Sequence, residues 1–352
     1  MEYVQRHPLL WALARPFVRL FWKLRLGYNA PSYSLGKSFL LVSNHVTKWD
    51  ERLIRAAFRR PLTFARREEV SRRVRADGGA GFFPEEERCW DGVTRPIPVS
   101  VGALVKKCGA TLVTFRLTGG YFAAPRWAET LRRGRIRGER IGVYPPETLA
   151  GMSDAEISSL IARDIHEDAC ETQRTHPAPY RGKRLAEHLE TLLFICPKCG
   201  TMHRMVSRDD RFFCDNCGMS TRYTLSGHFS GGNVPFHNVR DWVDWQTGKL
   251  RTLCQKAGDT PIFADEGFEL RSLSSHGAER IGRGELLLYR DRLELPAGIS
   301  LPVREITGLS LPEPGSLHIT TRNGSRFAVY TERVLCLEKY RSACACLGAA
   351  VD

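Results

Sequence analysis

Apolar runs and helical periodicities follow each other closely in the first part of the chain. Phe39 to Val42 is an apolar run of strand length, and Glu51 to Arg60, just after it, has a helix-like pattern. Another strand is predicted to end near Gly81, before a turn. Strands that alternate with helices favour an α/β domain, a mixed sheet flanked by helices, which we predict at residues 29–148.

The N-terminal segment has a broad apolar surface and a narrow cationic stripe. Apolar residues recur from Leu9 to Leu26, and Arg15, Arg19 and Lys23 are spaced four apart. This pattern predicts an amphipathic helix in residues 1–28 that lies in a membrane interface. A helix docked on its own domain is the alternative. No uninterrupted apolar run reaches the roughly 18 residues of a spanning helix, and arginines interrupt the would-be apolar region of a secretory signal.

The middle of the chain predicts connecting helices. Ser153 begins a segment with the signature of a capped helix that continues to Glu167, and a second amphipathic stretch runs from Arg184 to Leu193. We therefore expect a helical connector at residues 149–193. A helical linker is expected at residues 227–260, where the apolar spacing also suits a short helix.

The C-terminal segment alternates apolar and polar residues, as antiparallel strands do. Such runs lie between Glu285 and Tyr330, and a closing helix is predicted from Val334 to Leu347. We assign residues 261–352 to a small β-rich module. Strands followed by one helix resemble the pleckstrin-homology-like barrel, a resemblance of architecture that identifies no ligand.

Positive charge is concentrated in the first part of the chain. Residues 1–140 contain 27 Lys and Arg against 12 Asp and Glu, whereas the remainder contains 25 against 27. An anionic membrane, acidic lipid headgroups, other phosphate-bearing ligands and nucleic acid all fit this charge. A zinc-ribbon nucleic-acid-binding protein is an alternative function. Nucleic acid is disfavoured because the cysteine-rich segment and the residues after it lack a concentrated basic footprint.

Two cysteine pairs, each followed by glycine, are separated by fourteen residues: Cys196 with Cys199, and Cys214 with Cys217. Each pair can present two thiolates to one metal ion, and the glycine lets the backbone turn toward the sulfur atoms. We predict a zinc ribbon at residues 194–226. Two disulfides and an iron centre of rubredoxin type are the alternatives. Four thiolates leave no open coordination position, so the zinc is predicted to be structural.

His45 and Asp50 leave the end of the first predicted strand together. A neutral imidazole can take a proton from a hydroxyl near physiological pH, and a nearby carboxylate can fix its tautomer and stabilise the imidazolium. The pair is therefore a candidate for general-base catalysis. The alternative is a helix cap, in which Thr47 and Asp50 satisfy free backbone N–H groups.

A second group of polar residues follows the strand that ends near Gly81, and it includes Arg88, whose guanidinium can bind a phosphate in a planar, bidentate contact. The two groups together resemble the 1-acylglycerol-3-phosphate acyltransferase superfamily. Its Asn-His motif with a later Asp is matched by Asn44, His45 and Asp50. Its Phe-Pro-Glu-Gly-Thr-Arg motif is matched by Phe83, Pro84, Glu85 and Arg88. Gly109 to Arg116 is similar to the strand that follows this motif, and the resemblance covers about residues 30–145.

This resemblance implies transfer of a fatty acyl group from acyl-CoA or acyl-carrier protein to the free hydroxyl of a lysophosphatidate-like acceptor in phospholipid synthesis. His45 would deprotonate the hydroxyl, and Asp50 would orient His45. Glu85 and Arg88 would place the acceptor. Asn44 belongs to the same substrate-binding set and would shape the loop. The chemistry needs no metal. The implied location is peripheral, on the cytoplasmic face of the membrane.

Two features depart from the family pattern. Glu86 and Glu87 stand where the family has small residues, so extra carboxylates lie where a phosphate is expected to bind. The interval from Asp50 to Phe83 is short, which implies that a strand–helix unit with an acceptor-binding motif is missing. An inactive homologue that keeps the fold is therefore an alternative to an active enzyme.

Overall fold

The structure, a computed structural model, describes residues 8–275 and 277–349. Residues 1–7 of the predicted N-terminal helix lie outside the described residues, as do His276 and residues 350–352 of the predicted β-rich module. The chain divides into two units, which are Met1–Leu185 with Leu225–Gly227, and Ala186–Thr224 with His228–Asp352. The predicted connector at residues 149–193 crosses the boundary between them in sequence.

The first unit contains a mixed sheet flanked by helices, which confirms the predicted α/β class. Its strands are β1 (Tyr28–Asn29), β2 (Phe39–Ser43), β3 (Gly79–Phe82), β4 (Thr111–Thr118) and β5 (Ile136–Tyr144). Their order in the sheet is β1-β5-β4-β2-β3. Strand β2 runs parallel to β3 and β4, while β5 is antiparallel to β4 and parallel to β1.

Helices cover both faces of this sheet. They are α1 (Pro8–Leu26), α2 (Asp50–Ala57), α3 (Arg67–Asp77), α4 (Ser100–Cys108), α5 (Gly120–Ala123), α6 (Pro146–Ala150), α7 (Asp154–Ile165) and α8 (Ala169–Thr175). Phe39 and Leu41 of β2 pack in a cluster that includes residues of α1 and α2, whereas Leu40 and Val42 pack with residues of α3, α4 and α7. Because each buried side chain of this size contributes about 1.5–3 kcal/mol, β2 is an anchor of the unit.

The pairing of β2 with β3 positions the candidate site. The strands are parallel, and Val42 lies opposite Phe82. Both strands therefore end at the same edge of the sheet. The segment after Ser43, which carries His45, consequently leaves the sheet beside the segment after Phe82, which carries Glu85.

The short interval between Asp50 and Phe83 holds helices α2 and α3, strand β3 and two isolated bridges, at Phe58 and Phe64. Phe64 pairs in parallel with Gly81, and no strand longer than this bridge lies between α2 and β3 in the described chain. The stretch from Leu62 to Arg66 thus contributes a single bridging residue, Phe64, before α3 begins.

Of the two helices predicted in the connector, the structure contains one. Ser153 forms a capping box with Glu156, since its side chain accepts the Glu156 N–H and the Glu156 carboxylate accepts the Ser153 N–H, and α7 follows as predicted. The amphipathic stretch from Arg184 to Leu193 does not form an α-helix, so that prediction is wrong. Arg184 and His188 adopt left-handed backbone angles, with φ of 53° and 66°, which interrupt a right-handed helix and leave only a short 3₁₀ turn.

The second unit is rich in antiparallel β-structure, as predicted. A four-stranded sheet contains β6 (Met205–Arg208), β7 (Arg211–Cys214), β8 (Ser220–Tyr223) and β9 (Phe229–Ser230). Seven more strands are β10 (Phe263–Ser274), β11 (Gly277–Leu288), β12 (Arg292–Leu295), β13 (Ile299–Pro302), β14 (Ile306–Ser310), β15 (Ser316–Thr321) and β16 (Arg326–Tyr330). They form one sheet in the order β13-β12-β11-β10-β16-β15-β14, and the helices of the unit are α9 (Val239–Lys256) and α10 (Glu338–Cys346).

A buried ion pair joins α10 to β10. Lys339 is fully buried, and its Nζ lies 2.5 Å from Oδ2 of Asp265, which also accepts a hydrogen bond from the Tyr340 hydroxyl at 2.6 Å. The same Nζ lies 3.2 Å from Nε2 of His203. Burial and the neighbouring Lys339 charge lower the pKa of His203 to about 4, so its ring is neutral near pH 7.

Candidate active site and metal cluster

His45 and Asp50 meet at the edge of the sheet where β2 ends. His45 Nδ1 lies 2.9 Å from Oδ2 of Asp50, and the imidazole ring stacks on Phe83 with 4.2 Å between ring centroids. A carboxylate oxygen only accepts hydrogen bonds, so Nδ1 carries the proton and Nε2 is the basic nitrogen. Among the described residues, Nε2 has no hydrogen-bond partner. The pair can therefore take a proton at Nε2.

Asp50 also organises the loop between β2 and α2. Its Oδ2 accepts the backbone N–H groups of Val46 and Thr47 at 2.6 and 2.8 Å, and its Oδ1 accepts the Thr47 hydroxyl at 2.6 Å. The hydroxyl oxygen of Thr47 in turn accepts the Trp49 N–H. Asp50 thus orients the histidine and holds the loop that precedes α2. The alternative interpretation as a helix cap is not borne out, because the N–H groups that Asp50 accepts lie before α2, whose N-cap residue Trp49 has no side-chain capping hydrogen bond.

Asn44 is fully buried and holds this loop to strand β4. Its amide nitrogen donates to the Leu117 carbonyl and its amide oxygen accepts the Leu117 N–H, both at 2.8 Å. Both polar groups of the side chain are therefore used inside the protein. The arrangement agrees with loop shaping by Asn44 rather than with a contact to substrate.

Glu85 is buried as well and joins two backbone segments. Its Oε1 accepts the His45 N–H at 2.6 Å, and its Oε2 accepts the Arg95 N–H at 2.7 Å. Burial raises the pKa of Glu85 to about 8, against the opposing effect of the two backbone donors. With both oxygens bonded to the backbone, Glu85 supports the loop of His45.

An open cleft of about 440 Å³ lies beside His45, between the β2–α2 loop and the start of α3. Its lining includes the rings of Phe64 and Phe83, the basic residues Arg66 and Arg67, and three acidic residues, Glu51, Glu68 and Glu86. These arginines were not among the predicted site residues. The signal available in the sequence is a pair of arginines directly after a short apolar run, and only the parallel bridge at Phe64 places them next to His45.

The two extra carboxylates of the second motif are paired with arginines. Glu86 forms an ion pair with Arg67 at 3.1 Å, and Glu87 lies 3.1 Å from Arg95 and 3.4 Å from Arg126. The arginines thus largely compensate the two negative charges, so these carboxylates repel a phosphate less than the sequence alone predicts. Glu86 adopts a left-handed φ of 62°, a conformation that favours glycine.

Arg88 is partly buried, and its guanidinium makes no hydrogen bond or ion pair with the described part of the chain. Burial lowers its pKa, while the nearby carboxylates of Asp50 and Glu87 act in the opposite direction. Arginine remains charged at physiological pH in any case. Its charge is therefore free to bind an anion.

The four cysteines of the two pairs meet in one cluster, as predicted, with all four sulfur atoms within 4.8 Å of one another. The Sγ atoms of Cys196 and Cys217 are 3.6 Å apart, and those of Cys199 and Cys214 are 3.8 Å apart. Zinc–sulfur bonds of 2.3 Å in a tetrahedron require about 3.8 Å between sulfur atoms, whereas a disulfide requires about 2 Å. The donor set therefore fits a metal ion with four thiolate ligands.

The two cysteine pairs have the same backbone turn. Gly200 donates its N–H to the Cys196 carbonyl at 2.9 Å, and Gly218 donates to the Cys214 carbonyl at 3.0 Å. Both glycines have a φ of 72°, which a residue with a side chain rarely adopts. The glycine after each pair is thus needed for the turn that brings its two sulfur atoms together.

Helix α1 presents an apolar surface to solvent. Its docking contacts include Trp11 and Trp22, which are buried, and Arg15 and Arg19, which donate to backbone carbonyls of Ala56, Ala30 and Pro31. These inward contacts are those of a helix docked on its own domain, the alternative interpretation of this segment. Seven large apolar side chains of the helix are 41–83% exposed: Leu9, Leu10, Leu13, Phe17, Leu20, Phe21 and Leu24. Within residues 8–275 and 277–349, no helix is long and apolar enough to cross a bilayer.

No model of a known protein family matches this chain, and no curated protein sequence does. Among solved structures, the chain is similar to the 1-acyl-sn-glycerophosphate (LPA) acyltransferase PlsC from Thermotoga maritima. The identity is 18%, the match covers 44% of this chain and 79% of that one, and the TM-score is 0.31. A similarity of this size does not establish a function, so the assignment depends on the geometry of the site.

Proposed function

We propose that this protein is a peripheral membrane acyltransferase that moves a fatty acyl group from a thioester to the hydroxyl of a lysophosphatidate-like acceptor. The observation that carries the proposal is the 2.9 Å contact between His45 Nδ1 and Asp50, with Nε2 available beside a cleft that contains two arginines. A base next to arginine side chains suits an acceptor that bears both a hydroxyl and a phosphate.

The reaction takes the acceptor proton at Nε2 of His45. The hydroxyl oxygen attacks the thioester carbonyl, a new C–O ester bond forms and the C–S bond breaks. The departing thiolate then receives the proton from the imidazolium. Asp50 holds Nδ1 and stabilises the positive charge on the ring while the proton resides there.

The acceptor phosphate is assigned to the basic residues Arg66, Arg67 and Arg88. Arg66 and Arg67 line the cleft, where Arg67 also pairs with Glu86. Arg88 is not among the lining residues, and it is assigned because it belongs to the second motif and has no ion-pair partner among the described residues. We assign positioning roles to Asn44 and Glu85, because the polar atoms of both side chains bond to backbone groups. The donor is acyl-CoA or acyl-carrier protein, whose phosphates suit the basic first part of the chain.

The apolar surface of α1 supports association with a membrane surface, on the cytoplasmic face where reduced cysteines persist. The four-cysteine cluster is assigned to structural zinc, which has no open position for a substrate. Strands β10 to β16 followed by α10 are assigned a pleckstrin-homology-like architecture. The support is the strand order, in which β10 pairs with both β11 and β16.

The decisive experiment measures acyl transfer by the purified full-length chain on anionic vesicles. Radiolabelled oleoyl-CoA, or oleoyl-carrier protein, is the donor, and 1-oleoyl-lysophosphatidate is the acceptor. His45→Ala is expected to lower the rate about 10²- to 10⁴-fold, and Asp50→Asn somewhat less. Arg88→Ala is expected to raise the KM for the acceptor more than it lowers kcat.

The matched control is His166→Ala, which removes an exposed imidazole away from the cleft and should leave the rate unchanged. Thermal unfolding of each variant checks that the fold is retained. If the wild-type chain binds the vesicles but transfers no acyl group from either donor, the protein is an inactive homologue. A His45→Ala variant as active as the wild type would equally refute the proposed base.

A further inference from the structure

Another groove, separate from the cleft of His45, lies between α1 and the start of α2. It has a volume of about 480 Å³, within the range of small-molecule sites. Most of its walls are apolar side chains, including Phe17, Phe21, Trp22 and Leu131. None of the residues that line the cleft of His45 lines this groove, so the two are separate sites.

Two arginines give the groove a positive charge. Arg25 and Arg52 line it, and neither forms an ion pair with any residue in the described ranges. The Arg52 guanidinium lies over the Trp49 ring, 5.0 Å from its centroid. Two uncompensated cations next to an apolar wall are complementary to an amphiphile with an anionic head, whereas a free phosphate would leave the apolar wall exposed.

The indole of Trp49 forms part of the wall at the same place. Its Nε1–H is buried and donates to no acceptor in the described part of the chain, although a buried donor normally has a partner. Trp49 lines the groove, and its ring packs against Trp22 with 5.5 Å between centroids. Because solvent does not reach Nε1, the indole presents apolar ring surface, rather than its N–H, to a ligand in the groove.

The groove also borders the surface that the protein would present to a membrane. Phe17 and Phe21 line the groove and are 74% and 55% exposed on the apolar face of α1. A lipid whose chain lies along these rings would therefore stay continuous with the acyl region of the bilayer. The headgroup of the lipid would lie near the C-terminal end of α1, which carries Arg25, and near the end of the β2–α2 loop, which carries Trp49.

We infer that this groove binds one anionic phospholipid of the membrane, with its phosphate held by Arg25 and Arg52. One acyl chain lies along Phe17, Phe21, Trp22 and Leu131. The lipid is an anchor rather than a reactant, since the groove does not contain His45. The inference depends on the proposed membrane association and is independent of acyl transfer.

The test measures binding of dioctanoyl phosphatidylglycerol, below its micelle concentration, to the full-length chain by native mass spectrometry. The wild type is expected to bind one molecule, and dioctanoyl phosphatidylcholine at least tenfold more weakly. Arg25→Ala/Arg52→Ala should weaken phosphatidylglycerol binding at least tenfold. Leu131→Trp, which fills the groove without a change of charge, should have a similar effect.

Three controls separate this site from its alternatives. Arg72→Ala/Arg75→Ala removes the same charge from exposed positions of α3 and should bind as the wild type does. Arg67→Ala removes a cation from the cleft of His45 and should also leave binding unchanged. His45→Ala, which stops the proposed reaction, should bind the lipid normally, so a failed reaction and an absent lipid site are told apart. Unchanged binding by Arg25→Ala/Arg52→Ala, or equal loss in either arginine control, overturns the inference.

Discussion

Glu85 accepts the backbone N–H of His45 at 2.6 Å, so a carboxylate that follows β3 holds the loop that follows β2. The second oxygen of Glu85 accepts the Arg95 N–H, and the side chain is only 7% exposed. The position of the imidazole therefore depends on a residue that does not face the cleft. This relationship gives Glu85 a structural role that can be separated from substrate binding.

Glu85→Gln is expected to lower both stability and kcat. The amide replaces one acceptor oxygen by a donor, so one of the two backbone N–H groups loses its partner, at a cost of about 1–3 kcal/mol. Urea unfolding and acyl-transfer kinetics measure the two effects. A variant with wild-type kcat would show that Glu85 does not position the loop.

The effect of Glu85→Gln on stability should also depend on pH. Burial raises the pKa of Glu85 to about 8 in the folded state, above the usual value of 4.5. A raised folded pKa stabilises the wild type most at low pH, and this contribution is lost as the pH rises from about 4.5 through 8. The difference in unfolding free energy between wild type and variant should therefore shrink over that range. A difference that is constant with pH contradicts the raised pKa.

Glu86→Gly is expected to raise acyl transfer to phosphate-bearing acceptors several-fold. The substitution releases Arg67 from its 3.1 Å ion pair and leaves the arginine available in the cleft. It also relieves the left-handed backbone at φ 62°, which should add up to about 1 kcal/mol of stability. Glu86→Gln is the control, because it frees Arg67 but keeps the strained backbone. The two variants should match in KM for the acceptor and differ in melting temperature; a KM unchanged in both excludes Arg67 from phosphate binding.

Lys339→Met is expected to destabilise the second unit by up to about 3–5 kcal/mol, because it leaves the Asp265 carboxylate, whose side chain is only 13% exposed, without its cation. The double variant Asp265→Leu/Lys339→Met should cost much less, since no unpaired charge remains. Chemical denaturation provides the free energies, and Arg174→Met, which breaks an exposed pair with Glu171, serves as the control at less than about 1 kcal/mol. Equal losses for the single and double variants would mean that packing, rather than charge, accounts for the effect.

The cysteine cluster predicts about one zinc per chain in freshly purified, reduced protein. Cys199→Ser should remove most of the metal and make residues 196–217 sensitive to protease, because metal binding there also stabilises the fold. Cys346→Ser changes an exposed cysteine outside the cluster and should retain full metal content. Elemental analysis decides between zinc and iron, and the absence of both would refute the metal site.

The exposed face of α1 predicts binding to vesicles. Leu13→Ser/Phe17→Ser/Phe21→Ser should reduce sedimentation with anionic vesicles strongly and leave unfolding nearly unchanged, since these side chains are 55–74% exposed. Such substitutions are cleaner than deletion of the helix, which would uncover the contacts of Trp11 and Trp22. The control variant, Val99→Ser/Val143→Ser/Leu225→Ser, removes three exposed apolar side chains elsewhere in the same unit. Equal binding by wild type and the α1 variant would show that this face does not contact lipid.

Features encoded by neighbouring residues were predicted correctly from the sequence. The run Phe39 to Val42 is a strand, Ser153 caps a helix, and the spacing of the cysteines brings four sulfur atoms together. In each of these cases, residues close in sequence specify a periodicity, a cap or a turn, whose geometry is local. The stretch from Arg184 to Leu193 failed because left-handed residues at Arg184 and His188, which the apolar spacing does not reveal, interrupt the helix.

The tertiary structure alone decided the partners of polar residues and the outward face of α1. Glu85 and His45 are forty residues apart, and only the parallel register of β2 with β3 makes them neighbours. The apolar pattern of α1 fits both docking on the domain and contact with a membrane. Which face of the helix points outward is therefore decided by the side chains of α1 that the rest of the domain buries or hydrogen-bonds. The domain buries Trp11 and Trp22 and offers carbonyl oxygens to Arg15 and Arg19, and the remaining apolar side chains of α1 are therefore left in solvent.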